Sequence, residues 1–126
     1  MSWSEEDDWW TRQEIAQDPC TSPQILSEMV SDRMLWCDLA RNPNTPIEYL
    51  RKFANEDSAH LLDSLACNPN TPSDVLDAVA SKGDWRTQQA VIANPNVSYV
   101  TLKRLAMSRS SSAMTKQMAR EKLKSI

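Results

Sequence analysis

The chain has 126 residues, of which 40% are hydrophobic and 25% charged, and its formal net charge is −3. This size and balance fit one soluble domain with a modest core. Apolar runs extend over only three or four residues, so we expect neither a transmembrane span nor a secretory leader, and therefore a cytoplasmic protein without a membrane partner.

An aspartate or asparagine followed by proline recurs along the chain and predicts a helix stop at each occurrence, because the residue before proline is driven out of the α region. The four steps begin at Asp18, Asn42, Asn68 and Asn94, which are 24, 26 and 26 residues apart. Eight positions after each step stand Leu26, Leu50, Leu76 and Leu102. This self-similarity predicts repeated structural units of 24–26 residues.

Each unit is predicted to open with a helix of about nine residues, capped by a side chain ten positions before the step. These caps are Asp8, Asp32, Ser58 and Asp84. A second helix then starts at once, with Thr45 as its cap and Pro46 at its first position, and Thr71 heads a close variant. Ser98 takes the cap in the fourth unit, and Gly83 ends the second helix of the third unit.

The predicted order is an acidic N-terminal segment at 1–7, repeats at 8–30, 32–54, 58–80 and 84–106, and a C-terminal capping helix at 110–126. Helices this short are marginal in isolation, so they need to bury their apolar columns against neighbouring units. We therefore expect a single all-α domain, a right-handed α-solenoid (superhelix) of about four and a half two-helix repeats.

The segment 42–46 and its counterpart at 68–72 resemble the Asn-Pro-Asn-Thr-Pro signature of the leucine-rich repeat variant family. Residues 8–19 and the pair Asp84-Trp85 are similar to that family's opening helix. The resemblance covers about residues 8–106 and implies paired short helices, although Ser98 replaces the second proline of the signature. The best-known family member also holds an iron–sulfur centre on a separate cysteine cluster, which this sequence does not match, so no such cofactor is expected.

The candidate functional residues are large aromatic side chains and charged columns. Trp9 and Trp85 share one column and are predicted to wedge between units. Trp3, Trp10 and Trp36 are either surface anchors or core residues. Charged residues on the second helices vary from unit to unit and form a ribbon of the kind that repeat arrays use to select partners. The candidate partner-binding residues are Trp10, Trp36, Arg51, Lys52, Asp77, Lys103, Arg104, Lys116 and Arg120.

The two ends of the chain carry opposite charge. Residues 101–126 hold seven basic residues against Glu121 alone, a net charge of +6, and the remainder carries −9. The basic end either contacts nucleic-acid phosphates or is a solvated capping helix, and the acidic overall balance favours the cap. The acidic run 5–8 either contacts a basic partner or complements the dipole of the first helix.

We expect no catalytic, metal-binding or cofactor-binding residues. A single glycine argues against phosphate-binding loops and β-hairpins, and His60 has no second histidine to work with. Cys20, Cys37 and Cys67 form no Cys-x-x-Cys pair and are expected to be reduced thiols in packed positions. The predicted function is non-catalytic protein–protein interaction, as an adaptor or inhibitor. The alternative is nucleic-acid binding through the basic end, and the oligomeric state is left open.

Overall fold

The computed structural model describes residues 9–109 and 111–125, and within these ranges the chain forms nine α-helices and no strand. The helices are α1 Trp9–Gln17, α2 Pro23–Met29, α3 Trp36–Arg41, α4 Ile47–Phe53, α5 Ala59–Cys67, α6 Ser73–Lys82, α7 Trp85–Ala93, α8 Tyr99–Met107 and α9 Ala113–Lys124, and a short 3-10 helix, Arg33–Leu35, precedes α3. The all-α prediction is confirmed. Across the same ranges, none of the helices is long and apolar enough to cross a membrane.

The predicted caps of the opening helices α5 and α7 are confirmed. Asp84 Oδ1 accepts hydrogen bonds from the amides of Arg86 at 3.0 Å and Thr87 at 3.2 Å, and so starts α7. Ser58 caps α5 in the same way, whereas the cap at Asp32 begins the 3-10 helix ahead of α3. Asp8 lies outside the described residues.

Threonine does not cap the second helices, and the prediction for Thr45 and Thr71 is wrong. Helix α4 begins after Pro46, whose backbone is extended and which offers no side-chain bond to the helix. The Thr45 hydroxyl instead donates to the Leu39 carbonyl at 2.6 Å, and Thr71 makes the matching bond at 2.7 Å one unit later. Each threonine therefore adds a second hydrogen bond to a carbonyl near the end of the preceding helix, which also accepts the amide of Asn42 or Asn68.

The asparagines of the Asn-Pro steps join consecutive predicted units, and we call these side chains the asparagine ladder: Asn42, Asn68 and Asn94. Asn68 Nδ2 donates to the carbonyls of Ala40 at 2.8 Å and Asn42 at 3.0 Å, while its Oδ1 accepts from the Asn70 amide at 2.9 Å. The other two members bond in the same pattern. All three are at most 3% exposed, so the ladder lies inside the stack.

The predicted apolar columns form the core. Leu26, Leu50, Leu76 and Leu102 are each fully buried. Helices α1, α3, α5, α7 and α9 lie side by side in that order, and α4 and α6 each contact two helices of this row. Helices too short to be stable alone are thus covered by their neighbours, as burial-driven stability requires.

Gly83 ends α6 as predicted, with its amide 2.8 Å from the Val79 carbonyl, but its φ of −83° is open to any residue. The constraint is space, since a Cβ at this position would lie 2.5 Å from Cβ and Cγ2 of Thr87. We expect Gly83→Ala to lower the free energy of unfolding by about 1–3 kcal/mol through overpacking. Urea unfolding checks this, with the exposed Ser81→Ala as the control; equal stability of the two variants would contradict it.

Candidate binding surface

Two of the charged candidates on the second helices, Asp77 and Arg104, bind to each other across neighbouring helices, and a third, Arg51, pairs with a residue that was not a candidate. Arg104 Nη1 lies 2.8 and 3.0 Å from the two carboxylate oxygens of Asp77, and the Thr101 hydroxyl donates to the same carboxylate. Arg51 of α4 pairs with Asp74 of α6, and this hydrogen bond holds the pKa of the Asp74 carboxyl below its usual range. Two ion pairs therefore link α4 to α6 and α6 to α8 along the ribbon predicted from the sequence.

These ion pairs are exposed. The side chains of Arg51 and Asp74 are 52% and 63% accessible, and those of Arg104 and Asp77 are 58% and 31% accessible. Exposed pairs of this kind contribute little to stability, because water screens the charges and holding two long side chains in place costs entropy. A partner that offers its own charges can therefore exchange with them at low cost.

Trp36 is a core residue, which decides between the two alternatives left open by the sequence and removes it from the candidate partner-binding residues. Its side chain is 7% exposed, its ring lies 4.9 Å from that of Phe53, and its Nε1 donates to the Val30 carbonyl at 2.6 Å. The cations of Arg33 and Lys52 cover the ring, 4.5 and 5.6 Å from its centroid. Lys52, itself a candidate, is thus held by a cation–π contact.

Trp85 and the cysteines differ from their predicted settings. Trp85 is 52% exposed and carries the Arg86 guanidinium 5.3 Å from its ring centroid, so it does not wedge between helices. Cys20 and Cys67 are exposed and Cys37 is half-buried, and all three are free thiols. Partial desolvation by the surrounding protein, even at the exposed Cys67, is the main cause that raises the pKa of the Cys37 and Cys67 thiols, which disfavours their reactive thiolate forms.

The remaining candidates lie near the two ends of the helix row. Lys116 is half-buried and Arg120 exposed, both on α9, and Lys103 of α8 places its ammonium 5.6 Å from the Tyr99 ring centroid. The side chain of Trp10 and all of Trp3 lie outside the described part of the chain. The structure thus brings Asp77 and Arg104 together and leaves Lys116 and Arg120 on a separate helix.

A group of exposed apolar residues on α8 was not among the sequence candidates. Tyr99, Val100 and Met107 are 56%, 60% and 75% exposed, and together with Lys103 we call them the α8 patch. Their spacing places them along the outward side of one helix. The sequence does contain a signal for them, because the positions 26 residues earlier are the polar Ser73, Asp74 and Ser81.

The pockets found on the described part of the surface are open to solvent. An open pocket of about 240 Å³ between α6 and α8 is bordered by the Asp77–Arg104 pair and Gln88, and its wall is mixed polar and apolar. In the parts of the chain that the structure describes, no three His, Cys, Asp or Glu side chains are grouped as a metal site would require. His60 is exposed on α5. The arrangement therefore favours contact with an extended surface over enclosure of a small ligand.

Comparison with known proteins adds no identification. No protein-family model, curated protein or solved structure matches this chain.

Proposed function

We propose that the chain is a non-catalytic protein-interaction module whose binding surface is centred on the α8 patch. The observation that carries this proposal is the exposure of Tyr99, Val100 and Met107 beside Lys103 on a single helix. Contiguous apolar side chains edged by polar ones are typical of protein–protein contacts. Aromatic and methionine side chains are also enriched in such interfaces.

The scaffold in this proposal is a right-handed α-solenoid of about four and a half two-helix repeats, of the leucine-rich repeat variant type. Two observations support it: hydrogen bonds of the asparagine ladder recur between residues 24–28 positions apart, and alternate helices lie side by side. In such arrays the second helices form a continuous ribbon. The α8 patch lies near one end of that ribbon.

The chemistry of the patch defines the kind of partner. Lys103 stands among the apolar side chains, and Arg104 on the same helix adds a second, exposed cation beside Asp77. A complementary segment presents apolar side chains next to carboxylates. Its apolar side chains pack against the α8 patch, and its carboxylates pair with the cations of Lys103 and Arg104. We propose a protein segment of this composition as the occupant.

The test replaces the patch with the residues that α6 carries at the same positions. We expect Tyr99→Ser, Val100→Asp and Met107→Ser together to lower recovery of the partner from an extract of the source cells by about tenfold or more, because buried aromatic anchors dominate binding energy. The matched control is Met34→Ser with Met114→Ser, which removes two other exposed methionines. Quantitative mass spectrometry of the captured proteins gives the ratio.

The same capture also tests the alternative of nucleic-acid binding. If only nucleic acid is recovered, and neutralising Lys116, Arg120 and Lys122 weakens its binding uniformly across sequences, the basic end is the functional surface. A protein partner retained equally by the patch variant and the wild type would refute the patch while leaving the interaction role intact.

A further inference from the structure

The two end helices of the row present faces that the inner helices bury. Ala16, Ala40 and Ala66 occupy one column of the opening helices, are fully buried, and offer their carbonyls to the next step of the asparagine ladder. Ile92 continues this column at 3% exposure. In each of these helices the column faces the helix that follows in the row.

On α9 this column becomes basic. Thr115 and Ala119 are buried like Thr87 and Val91, which sets α9 in register with α7 at a spacing of 28 residues. In that register Arg120 occupies the position of Ile92, and Lys116 occupies that of Gln88. The face of α9 that would receive a following helix therefore carries the two cations Lys116 and Arg120 together with one carboxylate, Glu121, and Arg120 is exposed there.

On α1 the opposite face is acidic and partly apolar. Ile15 holds the position of Leu39, which is fully buried, yet Ile15 is only partly buried. Glu14 and Asp18 flank it and are exposed. In the sequence, the acidic run 5–8 comes directly before this helix.

The ladder position at this end also changes in chemistry. Asp18 stands where Asn42 stands one unit later, and its Oδ1 still accepts from the Cys20 amide at 2.9 Å, as Asn42 accepts from Asn44. A carboxylate cannot donate the two hydrogen bonds that Nδ2 of Asn42 provides to the preceding unit. Asp18 instead offers a negative charge to whatever lies beyond α1.

We infer that copies of this chain associate head to tail, with the acidic face of α1 on one copy against the basic face of α9 on the next. Glu14 and Asp18 meet Lys116 and Arg120, and the partly buried Ile15 is covered at the centre of the contact. The contact joins the two end helices of the row without repeating the packing inside it, because Asp18 cannot supply the donors of the asparagine ladder. Because the two surfaces differ, it is heterologous and lets assemblies grow beyond a dimer.

Sedimentation velocity of the full chain over a concentration series tests this inference. We expect the mean mass to rise with concentration in about 20 mM NaCl and to fall towards the monomer in about 500 mM NaCl, where exposed charges are screened. Lys116→Glu with Arg120→Glu should raise the apparent dissociation constant by at least about tenfold, since attraction becomes repulsion. The control, Arg86→Glu with Arg109→Glu, makes the same change in net charge at other exposed sites and should associate like the wild type.

A mixture of wild type and the α9 variant tests the direction of the contact. The variant keeps its acidic α1 face, so it should bind the α9 end of a wild-type assembly and stop further growth there. Its addition should lower the mean mass of wild-type assemblies while the variant sediments with them. Unchanged assemblies would mean that like faces meet, which would overturn the head-to-tail contact. A wild-type chain that stays monomeric at low salt would overturn the inference as a whole.

Discussion

Replacing Asn68 by Asp is expected to lower the free energy of unfolding by about 3–5 kcal/mol at neutral pH, the cost of an uncompensated buried charge. The side chain is fully buried, and its Nδ2 donates to the carbonyls of Ala40 and Asn42. A carboxylate still accepts the hydrogen bond of the Asn70 amide. Its second oxygen, however, faces the carbonyl oxygens of Ala40 and Asn42 and cannot donate to them. A loss of this size is a large part of the stability of an ordinary domain.

The pH dependence of the same variant identifies the cause. Burial near acceptor oxygens raises the pKa of the introduced carboxyl above its unfolded value of about 3.9. The loss of unfolding free energy is therefore smallest at a pH where the carboxyl is protonated in both the folded and the unfolded chain. It grows as the pH rises through and above the unfolded pKa. Urea unfolding of Asn68→Asp at about pH 4 and pH 7 should show this growth relative to wild type.

Two controls separate charge from the loss of hydrogen bonds. Asn68→Ala removes all three bonds without adding charge and should cost about 3 kcal/mol with little dependence on pH. Asp18→Asn makes the reverse change at the ladder position of α1, where the acceptor role is kept, and should change stability by less than about 0.5 kcal/mol. Equal losses at the two ladder positions would contradict the inter-unit role of the asparagine donors.

Truncation of Trp36 to Ala is expected to cost about 3–5 kcal/mol, because it opens a cavity beside Phe53. Trp36→Phe keeps most of the packing but leaves the Val30 carbonyl without its donor, for a loss of about 1–2 kcal/mol. Trp85→Ala removes an exposed ring and should stay within about 0.5 kcal/mol of wild type. Urea midpoints at constant slope report all three values.

The contrast between these two tryptophans tests the surface assignment directly. If Trp36 were a binding anchor on the surface, Trp36→Ala would leave the unfolding midpoint unchanged and weaken only the partner complex. A stability loss larger for Trp85→Ala than for Trp36→Ala would reverse the placement of both rings.

Elements and their ends were predictable because the signals act over a few residues. Ser58 and Asp84 cap the helices that follow them, Ser98 does so for α8, and the step at Asn94 ends α7. Periodic leucines such as Leu50 indicate a buried column in any arrangement of paired helices, because removing their apolar side chains from water is favourable. The candidate site was harder to predict. The sequence shows that Arg51 and Asp77 are charged, but not which residues they pair with.

The sequence by itself determined the helices, their stops and the buried columns, because caps, proline and periodicity act locally. Tertiary structure alone decided which ring is buried at Trp36 and which is exposed at Trp85, and it turned the Thr45 hydroxyl back to Leu39. It also gave the Asn68 donors their acceptors in the preceding unit, 26 and 28 residues away. These outcomes depend on which surface a neighbouring helix covers, and contacts between residues so far apart in the chain form only when the helices pack.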